Sequence, residues 1–392
     1  MSRVGFLWDS LSANTGDQAI GLTMLRLARR AGLRGLDPVR IGEPLAGRYD
    51  MLVVGGGELL HPPGHGFYDL FRVPGEHVLS TVGTSGVVDA SHLSSYRLVT
   101  VRSSADRDNL RGLSREVKVA PCLSVLFPGL AEDHPAAMER DSILVHLHAG
   151  AFLPSTAPTM VSMLRRLGRP VALLPFTPYI RDADIQAVLA AAADIAPPLA
   201  VAGPDQVFAA MRRAGAVVVA SLHAAIFAYI AGVPFLAIPY VPKVRHFMAE
   251  RGLEHRLLPD VLRLPERLHL LAADGVDWQA TAAADVASAG AVVDEIFALV
   301  EDALARSGGG RAWGAAWREP ACPERAHAET MGRIAEFGRR QAQVTADVLA
   351  GRHRLRRLIA TGIRTVVKHV PAIRRLGWAR AVWERWLVTH GC

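Results

Sequence analysis

Residues Arg213–Lys243 read RAGAVVVASLHAAIFAYIAGVPFLAIPYVPK, and from Ala214 to Pro242 they contain no Asp, Glu, Lys or Arg. A hydropathy scan would take such a run for a membrane span. Its periodicity argues against one, because it changes twice. Ala216–Ala220 is a continuous Val-rich run, the pattern of a strand buried on both faces. Ser221 suits a helix N-cap, Leu222–Ala231 is Ala-rich and helical, and Gly232-Val-Pro234 stops it. Phe235–Tyr240 is strand-like again. The stretch is therefore expected to be a strand–helix–strand unit at the centre of an α/β domain. His223 lies in the first turn of its helix, and Lys243, Arg245 and His246 follow its second strand. An imidazole at a helix N-terminus with cations nearby suits the processing of an anion.

Working outward, residues 1–130 alternate strands with helices. Strands are expected at Val4–Trp8, Met51–Val54, Val78–Val82, Arg97–Val101 and from Val117. Helices are expected at Asp17–Ala31 and Ala105–Leu113. This alternation indicates a parallel sheet covered on both faces. Pro and charge interrupt it at residues 128–140, the expected domain boundary. A second α/β series then runs over 141–305: strands at Ser142–Leu147 and Pro170–Leu174, helices near Asp182–Ala192 and at Asp205–Ala214, the central unit, and an amphipathic helix at Ala291–Leu304. Beyond Ser307-Gly-Gly-Gly310, residues 311–392 form a helix-prone extension.

The net charge of +7 on 392 residues is misleading. Residues 351–392 hold ten Lys/Arg against the single acid Glu384, which leaves 34 basic and 36 acidic residues elsewhere. Nothing in the body of the chain suggests nucleic-acid binding. The basic segment carries an apolar comb (Leu355, Leu358, Ile359, Ile363, Val366, Val367, Val370) and then Trp378, Trp383 and Trp386. It reads either as a peripheral membrane contact or as a helix packing across the domains. Cys122, Cys322 and Cys392 form no CxxC pair and no metal cluster, so free thiols in a reducing cytoplasm are expected. No signal peptide is visible.

Several constellations carry chemistry. Ser12-Ala-Asn14-Thr-Gly16-Asp17 joins the first strand to the first helix. Gly16 permits close backbone approach, and Asn14 and Asp17 could orient a hydroxyl; an ordinary loop with Asp as N-cap is the alternative. Gly55-Gly56-Gly57-Glu58 sits at a strand's C-terminal end, where ligands of open α/β sheets gather. It matches neither GxGxxG nor a P-loop. Glu58 and His61 beyond it could do acid/base work or bind sugar hydroxyls. Arg102 closes a strand and offers a fork suited to carboxylate or phosphate, or else a surface ion pair. His146 and His148 alternate on a strand, yet no third ligand is evident. Polar core or cleft lining suits them better than metal.

In this order the residues resemble the polysaccharide pyruvyl transferase family, over roughly residues 4–250. Asn14-Thr-Gly16-Asp17-Gln-Ala-Ile20 resembles its GN-x-GD-type loop, and Tyr49-Asp50-Met-Leu-Val-Val-Gly-Gly-Gly57 its D-hydrophobic-GGG strand. Val101-Arg102-Ser-Ser resembles its VR segment. Ser221–Pro234 with Tyr240-Val-Pro-Lys243 and Phe247 resembles its C-terminal signature. The chain departs from the family at Ala13 (often Gly), Ser221 (an Arg position in some members) and Cys122 (often Asp). The resemblance implies two Rossmann-like domains in a glycosyltransferase-B-like arrangement, here with a C-terminal helical extension. It implies transfer of a pyruvyl group from phosphoenolpyruvate to a hydroxyl pair of a glycan or lipid-linked sugar, with no metal or other cofactor. The thiols and the basic tail place this expected activity in the cytoplasm or at the inner face of the membrane. His223, Asp17 and Glu58 become the catalytic candidates. Asn14, Gly16, Gly56, Gly57, His61, Arg102, Ser221, Lys243 and Arg245 become the binding candidates. A sugar-nucleotide glycosyltransferase and a non-catalytic glycan-assembly protein of the same fold are the competing readings; oligomerisation is compatible with each.

Overall fold

The structure, a computed structural model, describes residues 3–45, 48–134, 141–271, 278–306 and 323–351. The first half runs β1 (Val4–Leu7), α1 (Thr15–Arg30), β2 (Leu36–Pro38), β3 (Met51–Gly55), β4 (Val78–Val82), β5 (Val88–Asp89), β6 (Leu98–Val101), α2 (Ser104–Asp108), β7 (Leu110–Arg111) and β8 (Lys118–Val119). Six of these strands form a sheet in the order β2-β1-β3-β4-β6-β8, with every pairing parallel. Every residue of β1, β3, β4 and β6 is buried, as covering both faces of a parallel sheet requires. The helix expected over Ala105–Leu113 stops at Asp108, because the chain then pairs β7 with β5 and turns at Gly112, φ +72°.

The second half runs β9 (Ile143–Val145), α3 (Ala157–Arg166), β10 (Val171–Leu173), α4 (Asp182–Ala193), α5 (Pro204–Arg213), β11 (Ala216–Val219), α6 (Leu222–Ala231), β12 (Phe235–Ala237), α7 (Pro242–Ala249) and α8 (Leu264–Leu271). Its sheet, in the order β10-β9-β11-β12, is also wholly parallel. The uncharged stretch is thus β11-α6-β12. The Ser221 hydroxyl caps α6 by accepting from the Ala224 amide at 3.3 Å, and Gly232 ends the helix at φ +65°. Leu222–Tyr229 is buried on every side, which explains an apolar run with no polar face. Among the described residues, no helix is long and apolar enough to cross a membrane.

Two Rossmann-like parallel sheets thus face one another in a glycosyltransferase-B-like arrangement. One apolar cluster joins them, from Phe6, Ile20 and Met24 to Phe208, Leu222 and Phe227. Phe127 stacks on Phe227 with centroids 5.4 Å apart and planes 3° from parallel. A bidentate pair ties α1 to α5: both Arg26 guanidinium nitrogens donate to Asp205 carboxylate oxygens at 2.8 Å.

Two long helices complete the molecule, α9 (Gln279–Ala305) and α10 (Pro323–Leu349). The buried face of α9, with Val292, Ile296 and Val300, joins a cluster that holds Val4, Val53 and Val78 of the first sheet together with Val217, Val219 and Phe235 of the second, and Asp285 of α9 accepts from Tyr229 and Arg251 of the second domain. The apolar spacing of α9 specifies a buried face but not which sheets cover it. Helix α10 falls in the expected helix-prone extension and spans both domains. His327 meets Phe67 of the first domain with ring centroids 4.6 Å apart. Further along, Gly338 lies so close to the Ile180 carbonyl of the second domain that a Cβ there would sit 1.9 Å from the oxygen. The basic comb and tryptophans beyond residue 351 lie outside the described residues.

Candidate active site

The strand ends of both sheets open onto one cavity of about 200 Å³, lined from both domains and from α10. Helices α1 and α6 present their N-termini to it. Asn14 caps α1, its side-chain oxygen accepting from the Gly16 amide at 3.0 Å, and Asn14 and Asp17 line the wall. Ser221, Leu222 and His223 bring the start of α6 to the same place. Two helix N-termini provide a partial positive charge suited to an anion.

The side chains between them form a charged network across the cleft. Glu58 accepts from Arg102 of its own domain and from Lys243 of the other, each at 3.1 Å. The Arg102 guanidinium is also held by Asp106 at 3.3 Å. Asp106 in turn accepts from the Ser103 hydroxyl at 2.6 Å and the Thr84 amide at 2.8 Å. This buried support escapes a reading of single residues, although Ser103-x-x-Asp106 carries the signal of an N-capping box. Gly83 escapes it too: a Cβ there would sit 2.0 Å from the Arg102 guanidinium carbon, so glycine makes room for the fork.

Titratable groups beside these cations take unusual states. Burial pushes the Glu58 carboxyl up, but Lys243 and Arg102 outweigh burial and hold it at about 2. Glu58 therefore stays ionised near neutral pH and serves, in the free protein, as an internal counter-ion to both cations. Asp17 is the opposite case. Burial, then the nearby Asp9 carboxylate, raise its carboxyl to about 7, against the pull of Lys243 and Arg102. His223 is depressed to about 3, first by burial and then by Arg102 and Lys243. A buried acid that is half protonated near pH 7 beside an uncharged imidazole is an arrangement able to give and take protons.

His223 packs where no side chain would fit. A Cβ on Gly16 would lie 1.9 Å from its Nδ1, so glycine lets the ring of one domain meet the helix end of the other. Its Nε2 lies 3.7 Å from the buried thiol of Cys122. Gly56 and Gly57 turn the chain beside the site with φ of +80° and +72°, under Ile20 and Asp17. They shape the site by backbone and contribute no lining atoms.

Asn14, Asp17, Glu58, His61, Arg102, Ser221, His223 and Lys243 all line the cavity. Arg245 does not. Residues 243–249 continue as helix α7, and two positions on a helix are about 200° apart; Lys243 faces the cleft while Arg245 is exposed. His146 and His148 also part company, because β9 ends at Val145. His146 is buried with Nδ1 3.2 Å from the Leu174 carbonyl, whereas His148 lines the cavity and stacks on Tyr240. Among the described residues, no cluster of three or more His, Cys, Asp or Glu is arranged to hold a metal ion. Tyr68, Tyr179, Tyr240, Met331 and Ile334 line the same cavity without belonging to any motif that marks them in the sequence.

The family model described as polysaccharide pyruvyl transferase matches residues 89–241. The matched segment contains Arg102, Cys122, Ser221 and His223; Asp17, Glu58 and Lys243 lie outside it. No curated protein sequence matches the chain significantly. Among solved structures, similarity is found to UDP-GlcNAc 2-epimerase from Methanocaldococcus jannaschii, with 11% identity, 76% of this chain and 99% of that chain covered, and a TM-score of 0.46. MurG from Acinetobacter baumannii is similar at 13% identity, with 76% and 99% covered and a TM-score of 0.42.

Proposed function

We propose, taking the match to a family of transferases as premise, that this chain moves a pyruvyl group from phosphoenolpyruvate to two hydroxyls of a glycan, forming a ketal and releasing phosphate. The observation that carries the reading is the convergence, from both domains, of Arg102, Lys243, Asp17 and His223 on one cavity flanked by two helix N-termini. Phosphoenolpyruvate bears a carboxylate and a phosphate, and Arg102 and Lys243 are the cations that would receive them. In the free protein Glu58 pairs with both, so donor binding replaces or shares that counter-ion.

The proton inventory fits the same reaction. Asp17, protonated, gives its proton to the methylene carbon of the enol. A sugar oxygen bonds to the adjacent carbon as the double bond's electron pair moves to the new C–H bond, and His223 takes the hydroxyl proton. The carbon–oxygen bond to phosphate then breaks, the electron pair leaving with phosphate, which collects the proton from His223. The second hydroxyl closes the ketal, and its proton restores Asp17. A multiply negative donor offsets Arg102 and Lys243 and so raises the basicity of His223 from its depressed value.

The test is incubation of the purified protein with phosphoenolpyruvate and a panel of free, lipid-linked and nucleotide-linked sugars, with phosphate release and product mass followed together. Product carrying an added pyruvyl group, lost in His223→Ala protein of native fold, is the expected result. Binding of a sugar nucleotide with indifference to phosphoenolpyruvate overturns the reading. Action at the inner face of a membrane through residues 351–392 belongs to the same proposal. Removing those residues should weaken sedimentation with anionic liposomes, and unchanged sedimentation would refute it.

A further inference from the structure

The charged network accounts for one part of the cavity. Another part is of different character and draws on α10, outside the segment matched by the family model. Tyr68 comes from the first domain, Tyr179 and Tyr240 from the second, and Met331 and Ile334 from one face of α10. Among the described residues none of the three phenol hydroxyls has a hydrogen-bond partner, although all three residues line the cavity and none is fully exposed. The hydroxyls open onto the cavity, where a ligand can meet them. Two of the rings are held from behind: Tyr68 stacks on His61 at 3.8 Å between centroids, and Tyr240 on His148 at 4.7 Å. Tyr179 sits in a 3-10 turn, Pro178–Ile180, against which α10 docks through Gly338. The unpaired hydroxyls are thus pre-positioned rather than loose.

We propose that Tyr68, Tyr179 and Tyr240, with Met331 and Ile334, form the seat of the acceptor, and that this acceptor is a single uncharged sugar ring. The inference rests on the transferase reading of the same cavity and adds the acceptor's chemical class. Three phenols that donate and accept, beside two apolar side chains, match a ring with several hydroxyls and an apolar C–H face. Burial raises all three phenols, so they stay protonated and neutral. Lys243 and Arg102, the cations lining the cavity, are already engaged with Glu58, and the acid Asp9 lies near enough to Tyr68 to bear on its ionisation. An acidic sugar would meet repulsion there, with no free cation among the described lining residues in compensation. A cavity of about 200 Å³ is below the roughly 300–1,000 Å³ usual for drug-sized ligands. It suits a small donor and one terminal ring.

The experiment uses full-length protein and saturation-transfer NMR with a panel of neutral methyl hexosides and the methyl glycosides of matched uronic acids. Phosphoenolpyruvate binding is measured separately by calorimetry. Neutral hexosides should bind, and the affinity of the tightest should fall about five- to tenfold in Tyr179→Phe and in Tyr240→Phe, as loss of one hydrogen bond predicts. Phosphoenolpyruvate affinity should change by less than about twofold. Phenylalanine keeps the ring, so these variants should fold; Ile334→Ala provides an independent probe of the apolar side. Hexoside affinity unchanged in all three variants, preferential binding of the uronates, or no binding of any neutral hexoside overturns the inference. If phosphoenolpyruvate fails to bind while phenol-dependent hexoside binding persists, the donor reading falls and the acceptor seat stands. If phosphoenolpyruvate binds normally while hexoside affinity is indifferent to the phenols, the acceptor seat falls and the donor reading stands.

Discussion

The two sides of the cavity are built on opposite principles. On one, Arg102, Glu58 and Lys243 satisfy one another within 3.1 Å, and each charge is cancelled before any ligand arrives. On the other, three tyrosine hydroxyls are left without partners among the described residues. A buried charge cannot be left alone, because an unpaired ion in a low-dielectric interior costs several kcal/mol. An unpaired phenol is far less costly and can wait for its ligand. The charged side therefore has to exchange partners on binding, while the neutral side only has to gain them.

That contrast can be broken from either side. The largest effect is expected on the charged side: His223→Ala should lower kcat by roughly 10²–10⁴, the usual range for loss of a proton-transfer group. It should leave hexoside binding by NMR intact; loss of both would mean the ring is structural. Next comes Asp17. As proton donor it must be protonated, so kcat/KM should fall as pH rises through about 7. Asp17→Asn should abolish that limb and lower the rate on the order of 10²-fold. Folding stability offers a check without substrate. The unfolded carboxyl titrates near ~3.9, below its folded value of about 7. The native state thus holds the extra proton between those values, and stability falls as pH rises from about 4 to 7. Thermal unfolding of Asp17→Asn should show a shallower decline across that window than wild type; parallel curves would contradict the raised value.

A smaller effect is expected from the neutral side. Gly338→Val forces side-chain atoms into the Ile180 carbonyl, an overpacking worth roughly 1–3 kcal/mol. The result should be a raised KM for acceptor with phosphoenolpyruvate affinity preserved. A matching loss of donor affinity would show that the two sides are one mechanical unit. Smallest is Glu58→Gln. It removes the competing carboxylate, so phosphoenolpyruvate should bind several-fold tighter, a modest gain because Glu58 and Lys243 are partly exposed to solvent. Weaker binding would mean that Glu58 positions the cations rather than occupying them.

Much of the architecture is legible without coordinates. The strand–helix–strand unit at 216–237, its Ser221 cap and its Gly232 stop follow from local chemistry, and the structure reproduces each. Loops and strand ends single out Asp17, Glu58, Arg102, His223 and Lys243, and these residues do meet. The errors arise where a local rule is asked a tertiary question. Proximity in sequence groups Arg245 with Lys243, but the helix beginning at Pro242 separates them. Helix α9 starts at Gln279, not Ala291: its first turns are mostly exposed and rich in alanine, so propensity rather than an apolar stripe carries them. That its buried face meets both sheets is not legible at all, since a 3.6-residue period identifies a face and not its partner. The tyrosines escape notice for a related reason. Each is isolated in sequence, and only a helix more than eighty residues beyond the last of them brings the wall together.

The missing side chain at Gly16 has a mechanical consequence. The separation of the two domains at the cleft is gauged there by a ring lying against a bare Cα. Any added carbon acts as a wedge. Gly16→Ala should therefore trap an enzyme propped ajar, with its individual sheets intact, detectable as a larger radius in X-ray scattering. Such a variant would offer a way to ask which ligand the open form admits first.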